Sequence, residues 1–416
     1  MTVTRAVNTT TPGSGAETSA DGDPEIDERI DALLADFPPR DTAPEVFLGA
    51  QFDRGLAWVH YPEGHGGLDR QPVLHQHVLS RLRDASAPNP AMRNAIGYGT
   101  VAPTIVAHGT VAQRDRYLRP LFTGDEIWCQ LFSEPGAGSD LASLATRAER
   151  DGAEWVLNGQ KVWTTAAHLA SFGLLLARTD PLVPKHAGIT AFVVDMHSRG
   201  VEVRPLYQLT GEAMFNEVFF GDVRMADDGR LGAVGEGWRV ALTALMNERV
   251  AIGGTVRGRD MGPIAEALHV WRERWKGDVS GHAAVLRDRL VQCWISHEVA
   301  RLTNLRAAQN RRTGAPGPEG SVAKLAHAER NKLTYELCVD LMGVEGMGYT
   351  STYPRIRPSE FTASNDVRRM FLWARADSIA GGTSQVMRNI LGERVLGLPE
   401  EPRADRDLPW RDVPRS

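Results

Sequence analysis

Three short stretches carry groups suited to holding a flat, polar-edged ligand with an anion beside it. In SIAGGTSQVMRNILGERVLGLP (378–399), Gly381, Gly382 and Thr383 lead through Ser384 and Gln385 into an amphipathic run of Val386, Ile390, Leu391 and Val395. Glycines let backbone N–H groups approach a ligand closely, and a helix N-terminus favours negative charge there. In WCQLFSEPGAGSDLASL (128–144), Ser133, Gly136, Gly138 and Ser139 form a loop of backbone donors and small hydroxyls. LNGQKVWTT (157–165) sets Trp163 beside Thr164 and Thr165 at the end of a strand, an aromatic face next to hydroxyl donors. The last two together suit a heterocycle that must be stacked and hydrogen-bonded. Each alone fits a glycine turn or a core tryptophan equally well. The 381–385 turn offers donors but no side chain able to move a proton.

Three regions of different periodicity must position these stretches. Residues 1–23, rich in Thr, Ser, Gly and Asp, read as a disordered tail. From 24 to 126 the pattern is helical: Ile26, Ile30, Leu33 and Leu34 make one apolar stripe, Val73, Val78 and Leu82 another, and YPEGHGGLD (61–69) is a glycine-bearing loop between them. Ile105, Tyr117 and Leu121 point to further short helices. From 127 to 232 the period becomes two, as in an antiparallel β domain, barrel or sandwich, with a type I′ hairpin turn expected at Asn158-Gly159. From 233 to 397 the helical period returns, with Trp238, Ala241, Leu242 and Leu245 in one helix and 282–311 and 321–342 in two long ones. With the helix after Thr383 these make a four-helix bundle, followed by a tail over 398–416.

Bulk composition sets limits. With 42% hydrophobic and 24% charged residues and a formal charge of −5, nothing draws the chain to nucleic acid or membrane. Cys129, Cys293 and Cys338 are too few and scattered for a disulfide framework or a metal site, and Cys129 reads as a buried structural thiol. No membrane-length apolar run and no signal-peptide core stand in the sequence, so a cytoplasmic protein is expected.

Together, SEPGAGSD (133–140) and NGQKVWTT (158–165) resemble the paired flavin signature of the acyl-CoA dehydrogenase family. The likeness extends from about residue 44 to 399 and includes the helix–sheet–helix order and the GGTSQ turn. It implies FAD as cofactor. By position, the segment Gln130 to Ser139, with Leu131 and Gly138, would wrap the ring and ribityl chain. Ser133 would meet the pyrimidine edge, and Ser139 also the CoA chain. Trp163, Thr164 and Thr165 would flank the ring near N5, while Gly382, Thr383 and Gln385 would hold the cofactor from the last turn. The Gly381 N–H would polarise the thioester carbonyl.

Such a reaction needs a base for the α-proton while a β-hydride leaves for the flavin. In many family members a carboxylate stands where this chain has Gly381. In others, resembling isovaleryl-CoA, long-chain and steroid side-chain enzymes, it comes from a bundle helix directly before an arginine. LMNERVAIGG (245–254) places Glu248 and Arg249 in that register. The expected base is therefore Glu248, in an apolar setting of Leu242, Leu245, Val250 and Ile252, with Gly253-Gly254 in mid-helix implying close packing. Arg249 and Ser139 are the expected substrate contacts. The resemblance implies dehydrogenation of an acyl-CoA to the enoyl-CoA, with electrons passed to an electron-transfer flavoprotein. A flavin monooxygenase on the same scaffold, or a non-catalytic subunit, are the alternatives. The family's cross-subunit R-x-x-F-G motif is missing from WRERWKGDVSGHAAVLRD (271–288), where Arg272, Arg274 or Lys276 are candidate substitutes. Either a homo-oligomer or a hetero-oligomer with a second chain of this type follows. The long connection 348–369 reads as a lid or interface arm.

Overall fold

The computed structural model describes residues 23–253, 258–312, 319–349, 355–359, 366–403 and 405–414; the side chains of 250–253, 311 and 312, and all of the expected tail over 1–23 except Asp23, lie outside the described set. Two compact units divide between residues 88 and 89. In the first, α1 (Pro24–Asp36), α2 (Pro44–Asp53) and α3 (Leu74–Asp84) enclose one core. Ile26, Ile30 and Leu33 are fully buried in it with Phe47, Leu56, Val59 and Val78. α1 starts where it does because the Asp23 side chain accepts from the Glu25 N–H at 3.0 Å and Pro24 takes the first helical position.

The second unit opens with α4 (Pro90–Arg93), α5 (Ala102–His108) and α6 (Val111–Thr123). Eight strands follow: β1 (Trp128–Leu131), β2 (Arg147–Asp151), β3 (Glu154–Thr165), β4 (Phe172–Arg178), β5 (Ile189–Asp195), β6 (Val201–Leu206), β7 (Phe215–Ala226) and β8 (Arg230–Leu231). They form one sheet in the order β6-β7-β3-β2-β4-β5-β8, with β1 laid beside β4. The ladders are mostly antiparallel, but β1 runs parallel to β4, so the sheet is mixed. Cys129 is buried in the sheet core with Leu131, Leu157, Phe192 and Val218, as a structural thiol should be.

The expected hairpin at Asn158-Gly159 is absent. β3 runs straight through both residues, and the β2–β3 reversal falls at Asp151–Glu154 around Gly152. The dipeptide instead makes a register shift against β7. Asn158 exchanges two 3.0 Å hydrogen bonds with Asp222 across the ladder. A Cβ on Gly159 would lie 2.5 Å from Thr146 Oγ1, so the glycine serves close strand contact rather than a turn.

The C-terminal part is helical as expected, and among the described residues it comprises α7 (Gly237–Gly253), α8 (Pro263–Arg274), α9 (Gly281–Arg312), α10 (Glu319–Met342), α11 (Val367–Asp377) and α12 (Ser384–Arg394). α10 packs against each of the other five. The described part of the long connection is fastened to the sheet domain. Ile356 N–H donates to Gly211 O at 3.0 Å, Ala213 N–H to Ile356 O at 2.8 Å, and Arg369 grips Glu212 with two nitrogens. The C-terminal segment also folds back: Trp410 N–H donates to Val183 O at 2.9 Å, and the Arg178 guanidinium lies 4.8 Å from the Trp410 ring centroid. Among the described residues no helix is long and apolar enough to cross a membrane.

Candidate active site

The glycine loop after β1 is organised by a buried ion pair that composition gives no reason to expect. Lys161, pointing inward from β3 with no exposed surface, donates to Glu134 Oε1 at 2.7 Å and to Phe132 O at 3.0 Å. The same carboxylate accepts the N–H groups of Ala145 at 2.6 Å and Thr146 at 2.9 Å. Burial opposes ionisation of Glu134, but the Lys161 charge and these donors outweigh it and hold the carboxyl below its ordinary range. Val162 N–H to Ser133 O (2.9 Å) completes the lacing of loop to strand. Leu131 is buried, Ser133 and Gln130 are half-buried, and Gly138 and Ser139 are exposed at the loop's outer face.

At the end of β3, Trp163 has φ +60° and keeps 61% of its surface exposed. Left-handed backbone is uncommon for a bulky residue, and such strain persists only where the surroundings enforce it. The ring meets Phe215 edge-on at 6.1 Å, and Phe215 stacks on Trp373 of α11 at 5.6 Å. Thr164 is buried, and its Oγ1 has no hydrogen-bond partner among the described residues. Thr165 is half-buried beside it. An exposed ring next to an unsatisfied buried hydroxyl fits a stacked heterocycle with a polar edge.

Glu248 projects from α7 toward β1, where Gln130 Nε2 donates to its Oε2 over a long 3.4 Å. It is half-buried, and burial is the largest influence on it, raising its pKa against the opposing effects of Gln130, Arg249 and Lys324. Its surroundings differ in part from expectation. Leu242 is 42% exposed rather than walling the carboxylate; the side chains of Val250 and Ile252, and Gly254 of the expected glycine pair, lie outside the described residues. Arg249 is half-buried, and its Nε is buried without a hydrogen-bond partner among the described residues.

The final turn joins α11 to α12. Gly381 and Gly382 have φ +63° and +91°, conformations open to glycine, and both are half-buried. Thr383 caps α12, its Oγ1 accepting the Val386 N–H at 3.1 Å, and Ser384 Oγ donates to Glu329 of α10 at 2.8 Å. Gln385 is exposed. Lys324 Nζ donates to Asp377 O at 2.9 Å and Gly382 O at 2.5 Å, tying the turn to α10. The structure thus joins Glu248 to the β1 loop directly and holds the turn against α10. Of the candidate substitutes in 271–288, Arg274 is committed to Glu345 and Met342 O, while Arg272 and Lys276 are exposed.

Comparison with known proteins places this arrangement. Residues 26–125, 129–223 and 235–396 match the acyl-CoA dehydrogenase N-terminal, middle and C-terminal domains. The chain belongs to the acyl-CoA dehydrogenase family. It is 39% identical over 347 residues to acyl-CoA dehydrogenase IpdE1 of Mycobacterium tuberculosis, covering 83% of this chain and 86% of that one. Among solved structures it resembles a variant of the Tcur3481–Tcur3483 steroid ACAD (25% identity, TM-score 0.68, 91% of this chain and 100% of that one). It also resembles a chain of the ChsE4–ChsE5 complex of Mycobacterium tuberculosis (26% identity, TM-score 0.67, 92% and 100%). The family's three-domain plan, helical, sheet and helical, is the architecture described above. Lys161, Glu134 and Lys324 were missed by sequence reasoning. The first two lie inside the flavin signature, and the only available signal was a Lys at an inward position of an alternating strand.

Proposed function

We propose that this chain is an FAD-dependent dehydrogenase that converts an acyl-CoA thioester to the trans-2-enoyl-CoA, with Glu248 removing the α-proton. The observation that carries this reading is a carboxylate with a pKa raised by burial, hydrogen-bonded to Gln130 at the start of the glycine loop, in a chain whose donor turn has no base of its own. When bound, FAD supplies the hydride acceptor for the β-carbon. The chain's own part is to hold and to deprotonate. Gln130, Leu131, Ser133, Gly138 and Ser139 cradle the cofactor from one side, and Thr164 Oγ1 and the Trp163 ring supply the hydroxyl and the stacking face. Thr165, Gly382, Thr383 and Gln385 complete the site. The Gly381 N–H stabilises the thioester oxygen as the α-proton leaves for Glu248. Ser139 and Arg249 contact the substrate, and an electron-transfer flavoprotein is the electron acceptor. The steroid ACAD likeness and the helix-borne base favour a branched or sterol-linked acyl group.

Purified with its partner chain, the protein should be yellow and should bleach anaerobically on addition of acyl-CoA. Trp163→Ala should lower flavin occupancy several-fold, measured as flavin absorbance per protein. A preparation colourless with every partner tried would defeat the proposal.

The proposal extends to assembly. Val291, Ile295, Val299 and Leu302 recur at helical spacing along α9, each 44–58% exposed. A contiguous apolar strip of this kind marks an interface. The likeness to a two-chain complex favours a second chain of the same family as its occupant. Light scattering should give a dimer or larger assembly, and Ile295→Glu/Val299→Glu should dissociate it; a flavin-loaded wild-type monomer would overturn this.

A further inference from the structure

We infer that Lys324 is a positioning residue of the dehydrogenation site: it clamps the Gly381–Gly382 turn and holds a buried ammonium within electrostatic reach of Glu248. The inference rests on Glu248 being the base. Lys324 lies in the second turn of α10 and has no exposed surface. Its two acceptors, Asp377 O and Gly382 O, bracket residues 378–381, so one ammonium closes the connection from the last residue of α11 to the turn before α12. Two successive glycines at positive φ do not enforce their own backbone direction. The aim of the Gly381 N–H therefore depends on what grips the carbonyls on either side.

Burying an ammonium is costly unless it is hydrogen-bonded and faced by opposite charge. The two carbonyls satisfy the first need. For the second, burial remains the largest influence and lowers the ammonium's pKa, while Asp377 on α11, Glu248 on α7 and Glu329 on α10 oppose it and Arg249 adds to it. Asp377 is itself held by Asn331 Nδ2 at 3.0 Å. From the side of Glu248, the charged groups acting on it are Arg249 on its own helix and Lys324 on α10, with neutral Gln130 from β1. Both cations work against the rise that burial imposes on the carboxylate. One side chain thus grips the donor turn and helps to keep the base ionised.

The test is the pH dependence of flavin reduction in the assembled holoenzyme, with octanoyl-CoA and a sterol-side-chain acyl-CoA as probes. Lys324→Met should shift the acid limb to higher pH by roughly one unit, about a tenfold loss on that limb, and recover at alkaline pH as Glu248 ionises. Lys324→Arg keeps the charge but alters the clamp, so the limb should stay in place while the plateau falls. Amide hydrogen exchange of peptide 378–385 in the cofactor-free protein should quicken in both variants. An unmoved limb in Lys324→Met overturns the inference. Should that variant not fold, a Lys324→Arg plateau and exchange rate equal to wild type do so. Glu248→Gln measured alongside separates the two readings. Wild-type reduction there removes the base itself, whereas an inert Glu248→Gln with an unmoved Lys324→Met limb removes only the role of Lys324.

Discussion

Replacing Glu248 with glutamine is expected to slow reduction of the bound flavin by acyl-CoA roughly 10²–10⁴-fold, the usual cost of losing a general base. The amide is nearly isosteric and can still accept from Gln130, but it cannot take the α-proton, and residues 378–385 contain no carboxylate to replace it. Fold and flavin content should persist, which distinguishes loss of the base from loss of the site. The pH profile follows from the direction of the Glu248 shift. Its pKa is raised in the folded protein, so wild-type reduction should fall as pH drops through a value above the ordinary carboxylate range. The stability consequence has the opposite sense. A carboxyl with a raised folded pKa stabilises the protein when protonated, and that contribution is lost as pH rises through the folded pKa. At neutral pH the buried charge is therefore a burden, and Glu248→Gln should melt no lower than wild type. Placing a carboxylate at the turn by Gly381→Glu in the Glu248→Gln background meets a backbone φ of +63°, a strain of about 1–2 kcal/mol for a non-glycine residue. Any recovered turnover should then be partial. Stopped-flow absorbance of the three proteins decides the matter, and wild-type reduction by Glu248→Gln would sink the assignment.

Breaking the Lys161–Glu134 pair should be the most damaging change to stability. Lys161→Met leaves a carboxylate in the interior beside Ala145 and Thr146, and removing one partner of a buried pair typically costs about 3–5 kcal/mol. Because the pair ties Phe132 O before the loop, through Lys161, to Ala145 and Thr146 after it, through Glu134, the variant should also lose flavin. Glu134→Gln in the Lys161→Met background removes the orphaned charge while keeping an acceptor for the two backbone N–H groups. Most of the stability should return. The check is the thermal midpoint and flavin content of the two single variants and the double. Additive losses would show that each residue acts alone and that the pair does not organise the loop.

Much of the fold was legible because its signals are local. The stripe Ile26, Ile30 and Leu33 and the alternation through β3 to β7 each follow from one element burying one face. What misled was long-range. Asn158-Gly159 carries a turn signal within two residues, while the groups that settle its conformation, Thr146 and Asp222, come from the neighbouring strands. The parallel placement of β1 beside β4 leaves no mark on either segment's own pattern. At the site, the candidate residues of the proposal come from the resemblance. The supporting charges were not legible, because Lys is expected in solvent. Lys161 and Lys324 are both fully buried, each made tenable by carbonyls that no sequence pattern announces. Leu242 failed in the other direction, an apolar residue placed in a wall it does not join.

α10 packs against α7, which carries Glu248, and is tied through Lys324 to the α11–α12 turn. On the proposed reading, the proton acceptor Glu248 and the oxygen donor Gly381 ride on different segments that share α10 as a common support. The spacing between them is then a property of helix packing rather than of loop conformation. Evolution can adjust it by resizing residues on the α7–α10 seam, widening the gap for a bulky acyl chain without disturbing either duty. A seam residue far from the reacting carbons thus becomes a dial for substrate girth, open to selection long before the chemistry itself is touched.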